Sequence, residues 1–175
     1  MRASILIIFW CMMLAIGYGI VHDQITARIC VEYFTIGHPR LIESESPTEL
    51  GVFWGIVATW WAGAILGILI AIAARAGRRT PWPAARVVKP TLILSAVMAA
   101  CAVATAIAAR ELAMRGIVHL LPPLDSRVPV EKHVAFITAG GAHVASYAVG
   151  FIGGVVLAVW IWRARRLEIH EGAVA

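Results

Sequence analysis

The chain is poor in charge. Of its 175 residues, 14% are Asp, Glu, Lys or Arg, against about 25% in soluble domains. Hydrophobic residues make up 61%, and the mean hydropathy is +0.83. A domain solvated by water on all sides is excluded, and a lipid environment is expected. Cysteine is also scarce. Cys11 and Cys101 fall inside apolar runs, which leaves Cys30 without an obvious partner and implies no disulfide framework. No CxxC or CxxCH occurs, so covalent haem attachment is excluded, and Cys30 reads as a packed thiol rather than a ligand. There is no Walker loop, GxSxG elbow or Rossmann fingerprint, and "GGAH" and "GFIGG" read as packing glycines. The net charge of +5 comes from basic residues that flank apolar runs, so nucleic-acid binding is set aside.

What is present is length and grease in four places. A bilayer core needs about twenty apolar residues per helix. Spans are expected at 3–21, 50–74, 90–109 and 134–162, the last longer than a bilayer requires and therefore tilted or projecting. "SPTE", Ser46 to Glu49, marks the start of the second span, with a serine cap, a proline at the first helical position and a glutamate at the third. The connection 75–89 holds five basic residues and no acid, and the tail 163–175 adds Arg163, Arg165 and Arg166. Eight of the ten acids fall in segments 22–49 and 110–133. The positive-inside rule makes the basic connection and both termini cytoplasmic and the two acidic loops outer. Trp82, Trp160 and Trp162 are then expected in the inner interfacial belt. "LAIG", Leu14 to Gly17, is a poor signal-peptide cleavage site, so the first span is read as retained.

Small residues recur every four positions. The second span carries Gly51, Gly55, Thr59, Gly63, Gly67 and Ala71; the fourth carries Ala142, Ser146, Gly150, Gly154 and Ala158. The third supplies Ala96, Ala100, Ala104 and Ala108. In lipid such rows allow close helix approach. They are read as packing within one bundle, with self-association as the sharper alternative. Trp60 and Trp61 sit within the second span, away from an interface. They are expected to pack opposite the glycine groove or, with Tyr33, to wall a pocket for a quinone, haem or lipid.

The polar residues concentrate in "GYGIVHDQITARICVEYFTIGHP", Gly17 to Pro39. Five of six histidines, His22, His38, His119, His133 and His143, lie on the outer side. If the first helix continues past His22, then His22, Thr26 and Tyr33 share one line of its surface, while Arg28 and Glu32 are spaced for an ion pair. Imidazole and carboxylate suit zinc, copper or iron. The candidate ligands are therefore His22, Asp23, Glu32, His38, His119, His133 and His143. No HxxxH or HExxH spacing fixes two of them on one helix face. His143 is the most informative, since ionisable groups inside membranes usually face an interior. Its structural alternative is a hydrogen bond to Ser95 or to a backbone carbonyl.

The block "HDQITARICVEYFTIGHP" resembles one found in uncharacterised bacterial multi-pass membrane proteins. The resemblance covers roughly the first forty residues and implies a membrane protein, with no activity attached. The expectation is an all-α inner-membrane protein of four transmembrane helices with a polar outer layer. No catalytic residue is assigned. Its leading reading is a binding or accessory protein whose histidine–carboxylate layer engages a metal ion or another membrane or periplasmic protein. A redox subunit holding haem or quinone between His22, His143 and Trp60/Trp61 is the second reading, and a small transporter the third.

Overall fold

The computed structural model describes residues 1–171, with side chains up to Arg166. It is all-helical, without a strand among the described residues. Its helices are α1 (Arg2–Ile29), α2 (Glu32–Thr35), α3 (Pro47–Val57), α4 (Trp60–Arg75), α5 (Ala85–Met114), α6 (Leu124–Arg127) and α7 (His133–Glu171). A 3-10 turn at Val130–Lys132 leads into α7. Four stretches are long and apolar enough to cross a membrane: Arg2–Ile29, Pro47–Arg75, Ala85–Met114 and Val130–Arg166.

Every span runs further than hydropathy alone suggests. The largest difference is in α1, which continues through His22, Asp23 and Thr26 to Ile29. Those polar residues extend the helix because their side chains face protein: Asp23 and Thr26 are buried. Cys30 then adopts an extended conformation (φ −154°, ψ 102°) and ends the helix. Tyr33 is therefore not on the His22–Thr26 line, and Glu32 is not one turn beyond Arg28. Arg28 instead donates to Gln24 Oε1 and to Thr48 Oγ1 at 2.6 and 2.8 Å, and Glu32 pairs with Lys132 at 3.2 Å.

The second span starts where its capping residues predict, with Ser46 Oγ accepting from Glu49 N at 3.4 Å and Pro47 in the first turn. It is broken at Ala58–Thr59 between α3 and α4. There the Thr59 hydroxyl bonds back to the Gly55 carbonyl, a contact that bends helices. The break lies where the second span crosses Gly19 of α1.

The bundle is two tight pairs joined more loosely. α1 packs on α3 and α4, and α5 packs on α7; α4 and α7 make most of the junction. The glycine row of the second span faces α1 directly. A Cβ would lie 2.5 Å from Ile20 Cα at Gly55, 2.6 Å from Ala15 Cβ at Gly63, and 2.7 Å from Ile8 Cα at Gly67. At Gly51 it would meet the Gln24 and Asp23 backbone. In α7, Gly141 and Gly150 approach Ala109 and Met98 of α5, while Gly154 approaches Leu66 of α4. The third-span alanines differ from this pattern. Ala96, Ala100, Ala104 and Ala108 are exposed, and α5 meets α7 through the opposite residues.

At the arginine-rich end, Ile7, Ile70, Ala74, Trp82, Val87, Leu157 and Ile161 form an apolar core spanning all four helices. Arg165 is fully buried there, donating Nε to Thr80 O (2.9 Å), Nη1 to Ala73 O (2.6 Å) and Nη2 to Ala76 O and Arg79 O (3.1 and 2.8 Å). It gathers the carbonyls at the end of α4 and in the following turn. Trp82 is buried as well, beneath the Arg86 guanidinium at 3.9 Å, rather than half-exposed like Trp160 and Trp162. The opposite end carries the polar residues, flanked by two smaller apolar clusters around Trp54 and Phe136.

Candidate metal centre

At the polar end α1 and α7 face each other with complementary polar residues. Tyr18 and His22 stand four residues apart on α1, and His143 and Ser146 three apart on α7, so each pair shares a helix face. On the other side of α1, Gly51 seats α3 against the backbone of Asp23 and Gln24, while the Asp23 side chain meets His143 of α7.

The geometry centres on His143, buried at 5% exposure. Its Nδ1 lies 2.9 Å from the Ala139 carbonyl and its Nε2 lies 3.2 Å from Asp23 Oδ1. A carbonyl only accepts, so Nδ1 carries a proton. The Nε2–Asp23 contact then contains a second proton, on nitrogen or on oxygen. The His22 ring meets the His143 ring edge-on, with centroids 4.6 Å apart. His22 Nδ1 is 3.5 Å from Ser146 Oγ, which in turn is 2.8 Å from the Tyr18 hydroxyl. His22 Nε2 is buried and has no hydrogen-bond partner among the described residues.

One ligand atom each from His22, Asp23 and His143 can be chosen so that all lie within 4.8 Å of one another. Both imidazoles have Nδ1 beside an oxygen, on Ala139 or Ser146; Nε2 of His22 has no partner among the described residues, and Nε2 of His143 would turn from Asp23 to a metal with release of the proton between them. Metal-binding histidines are usually oriented in this way, the second ring nitrogen being held by a carbonyl, carboxylate or hydroxyl. Two imidazoles and one carboxylate match the donor sets of zinc and non-haem iron sites with open positions.

Aromatic rings wall the cluster. Tyr33 lies over His143 at 4.5 Å between centroids, and Phe34 and Tyr147 approach it at 5.7 and 6.4 Å. His38 follows α2, its Nδ1 donating to Tyr33 O at 2.9 Å and its ring packed on Trp54 at 4.6 Å. Its centroid is 6.5 Å from that of His143. Burial lowers the His38 pKa from the ordinary imidazole value, with the Tyr33 carbonyl opposing the shift.

The other sequence candidates lie elsewhere. Glu32 is bound to Lys132 and accepts from Cys30 Sγ at 3.4 Å. His133 opens α7, with Nε2 3.0 Å from Val128 O, and His119 is exposed beside Gly116. Trp60 and Trp61 are each 49% exposed on the apolar outside of the bundle, so they wall no pocket with the histidines. The tryptophan at the site is Trp54, six residues before Trp60 and buried. Ser95 bonds Thr91 O of its own helix and is not the partner of His143. Ser146, expected in a packing row, is part of the polar cluster. Sequence reading passed over Tyr18, Trp54 and Tyr147, although Tyr18–His22 and His143–Tyr147 are both spaced by four. In comparisons with known proteins, no family model, no curated protein and no solved structure matches the chain.

Proposed function

We propose that this is an inner-membrane binding protein whose function resides in a divalent metal ion held by His22, Asp23 and His143. The observation that carries the reading is the buried approach of two imidazoles and a carboxylate within 4.8 Å, one imidazole nitrogen having no partner among the described residues. Burying such groups in a membrane bundle is costly, and they mark function more often than packing. The donor set favours zinc, iron or cobalt over magnesium or calcium, which prefer oxygen.

A haem held between His22 and His143 is disfavoured, because the rings touch edge-on and leave no slot for a macrocycle. The positive-inside rule supports both termini and Arg75–Lys89 in the cytoplasm and the metal centre near the outer face. Zinc titration of the purified full chain, followed calorimetrically, tests the assignment. Saturable uptake in the wild type that is lost in His22→Ala and in His143→Ala is expected. Equal uptake in all three removes the assignment.

A further inference from the structure

Three protein ligands leave a position open, whereas a closed zinc-type shell has four. The side chains around the centre differ in whether they can fill that position. Tyr33 is closest to His143, but it lies over the imidazole ring with centroids 4.5 Å apart and serves as a wall of the cluster. Glu32 is engaged by Lys132 and Cys30. His133 is tied to Val128, and His119 is exposed in a loop that packs elsewhere.

His38 has what the others lack. Donation from Nδ1 to Tyr33 O fixes the tautomer and leaves Nε2 as a bare lone pair. The ring is stacked on Phe34 and tilted on Trp54, so it is held beside the cluster rather than in solvent. With metal–nitrogen bonds of about 2.0–2.1 Å, two imidazoles on one tetrahedral ion have centroids roughly 5 Å apart. The His38–His143 separation is 6.5 Å. The gap is small, and His38 sits in the non-helical turn after α2, where backbone adjustment breaks no regular helix.

We propose that His38 is the fourth ligand of the centre and closes onto a divalent transition metal already held by His22, Asp23 and His143. This rests on the metal assignment above. The turn 36–39 is the moving part, and the closed shell has three nitrogens and one oxygen. Release of the ion requires the turn to open, which makes His38 the residue that sets residence time.

Cobalt(II) is the probe, because four-coordinate cobalt absorbs visible light far more strongly than five- or six-coordinate cobalt. The full chain in detergent micelles is titrated with Co2+ alone. Intense visible bands are expected for the wild type. His38→Gln should bind at least about tenfold more weakly and lose most of that intensity, while His119→Gln and His133→Gln match the wild type. His38→Cys should restore the intensity and add a thiolate-to-cobalt charge-transfer band absent from the wild type, and this decides the matter even if His38→Gln folds poorly. An unchanged spectrum in His38→Gln, or no charge-transfer band in His38→Cys, overturns the fourth ligand and leaves the three-residue centre standing. No cobalt uptake by the wild type overturns both.

Discussion

His143 Nε2 and Asp23 Oδ1 meet at 3.2 Å between α7 and α1, 120 residues apart in sequence. Both side chains are almost wholly buried. Both His143 nitrogens face oxygens, so the ring is held at each end. Asp23→Ala leaves a buried imidazole nitrogen without this partner, at a cost of about 1–3 kcal/mol. Asp23→Asn retains an acceptor and should lose less. Reversible unfolding in mixed micelles compares the two. Identical stability of the wild type and Asp23→Ala would show that the contact contributes nothing to the fold.

The crossing of α1 and α3 has no room for a methyl group. At Gly55 an added Cβ would lie 2.5 Å from both Cα and N of Ile20, which are backbone atoms that cannot swing aside. Gly55→Ala is expected to cost about 1–3 kcal/mol by overpacking. Gly17, on the same helix as Ile20, has nothing within 4 Å of its would-be Cβ. Gly17→Ala should therefore fall within about 0.5 kcal/mol of the wild type. The same unfolding assay checks the pair, and equal effects would contradict the packing described.

Arg165 binds four backbone carbonyls from a buried position, using its planar fork. An ammonium cannot reproduce that geometry, so Arg165→Lys is not a conservative change. The turn carrying Arg78 and Arg79 should loosen in this variant, and trypsin should cut there faster than in the wild type. Peptide mapping by mass spectrometry reads the site. Unchanged cleavage kinetics would mean that the turn is held by its other contacts.

Cys30 is 1% exposed, and burial pushes its thiol up to about 11. The thiolate is the reactive form, so at pH 8 both access and ionisation oppose alkylation. Iodoacetamide should leave Cys30 unmodified in the folded chain and modify it after denaturation, and rising pH should speed the folded-state reaction only toward the shifted pKa. Rapid labelling of Cys30 at pH 8 would contradict the burial of this corner.

The helices were legible because lipid imposes a single strong rule, a long apolar run, and the four runs satisfy it. Their ends were not. His22, Asp23 and Thr26 look like the close of a span, yet α1 carries them inward against α7, and only the facing helix explains why they are helical. Of the seven candidate ligands, His22, Asp23 and His143 converge and His38 lies beside them. Glu32, His119 and His133 are separated from them by the turn at Cys30 and by the path of the loop before α7, neither of which leaves a periodic signal. Arg165 reads as one more basic tail residue until α4 is seen to end beside it.

Whether His22, Asp23 and His143 hold a metal is decided by the metal content of the full chain, purified without chelator from metal-replete cells and measured by elemental mass spectrometry. Stoichiometric zinc, iron or cobalt is expected in the wild type, with its loss from a folded His22→Ala/His143→Ala variant. A wild-type protein that carries no metal, or a double variant that retains it, would rule out a metal centre at these residues.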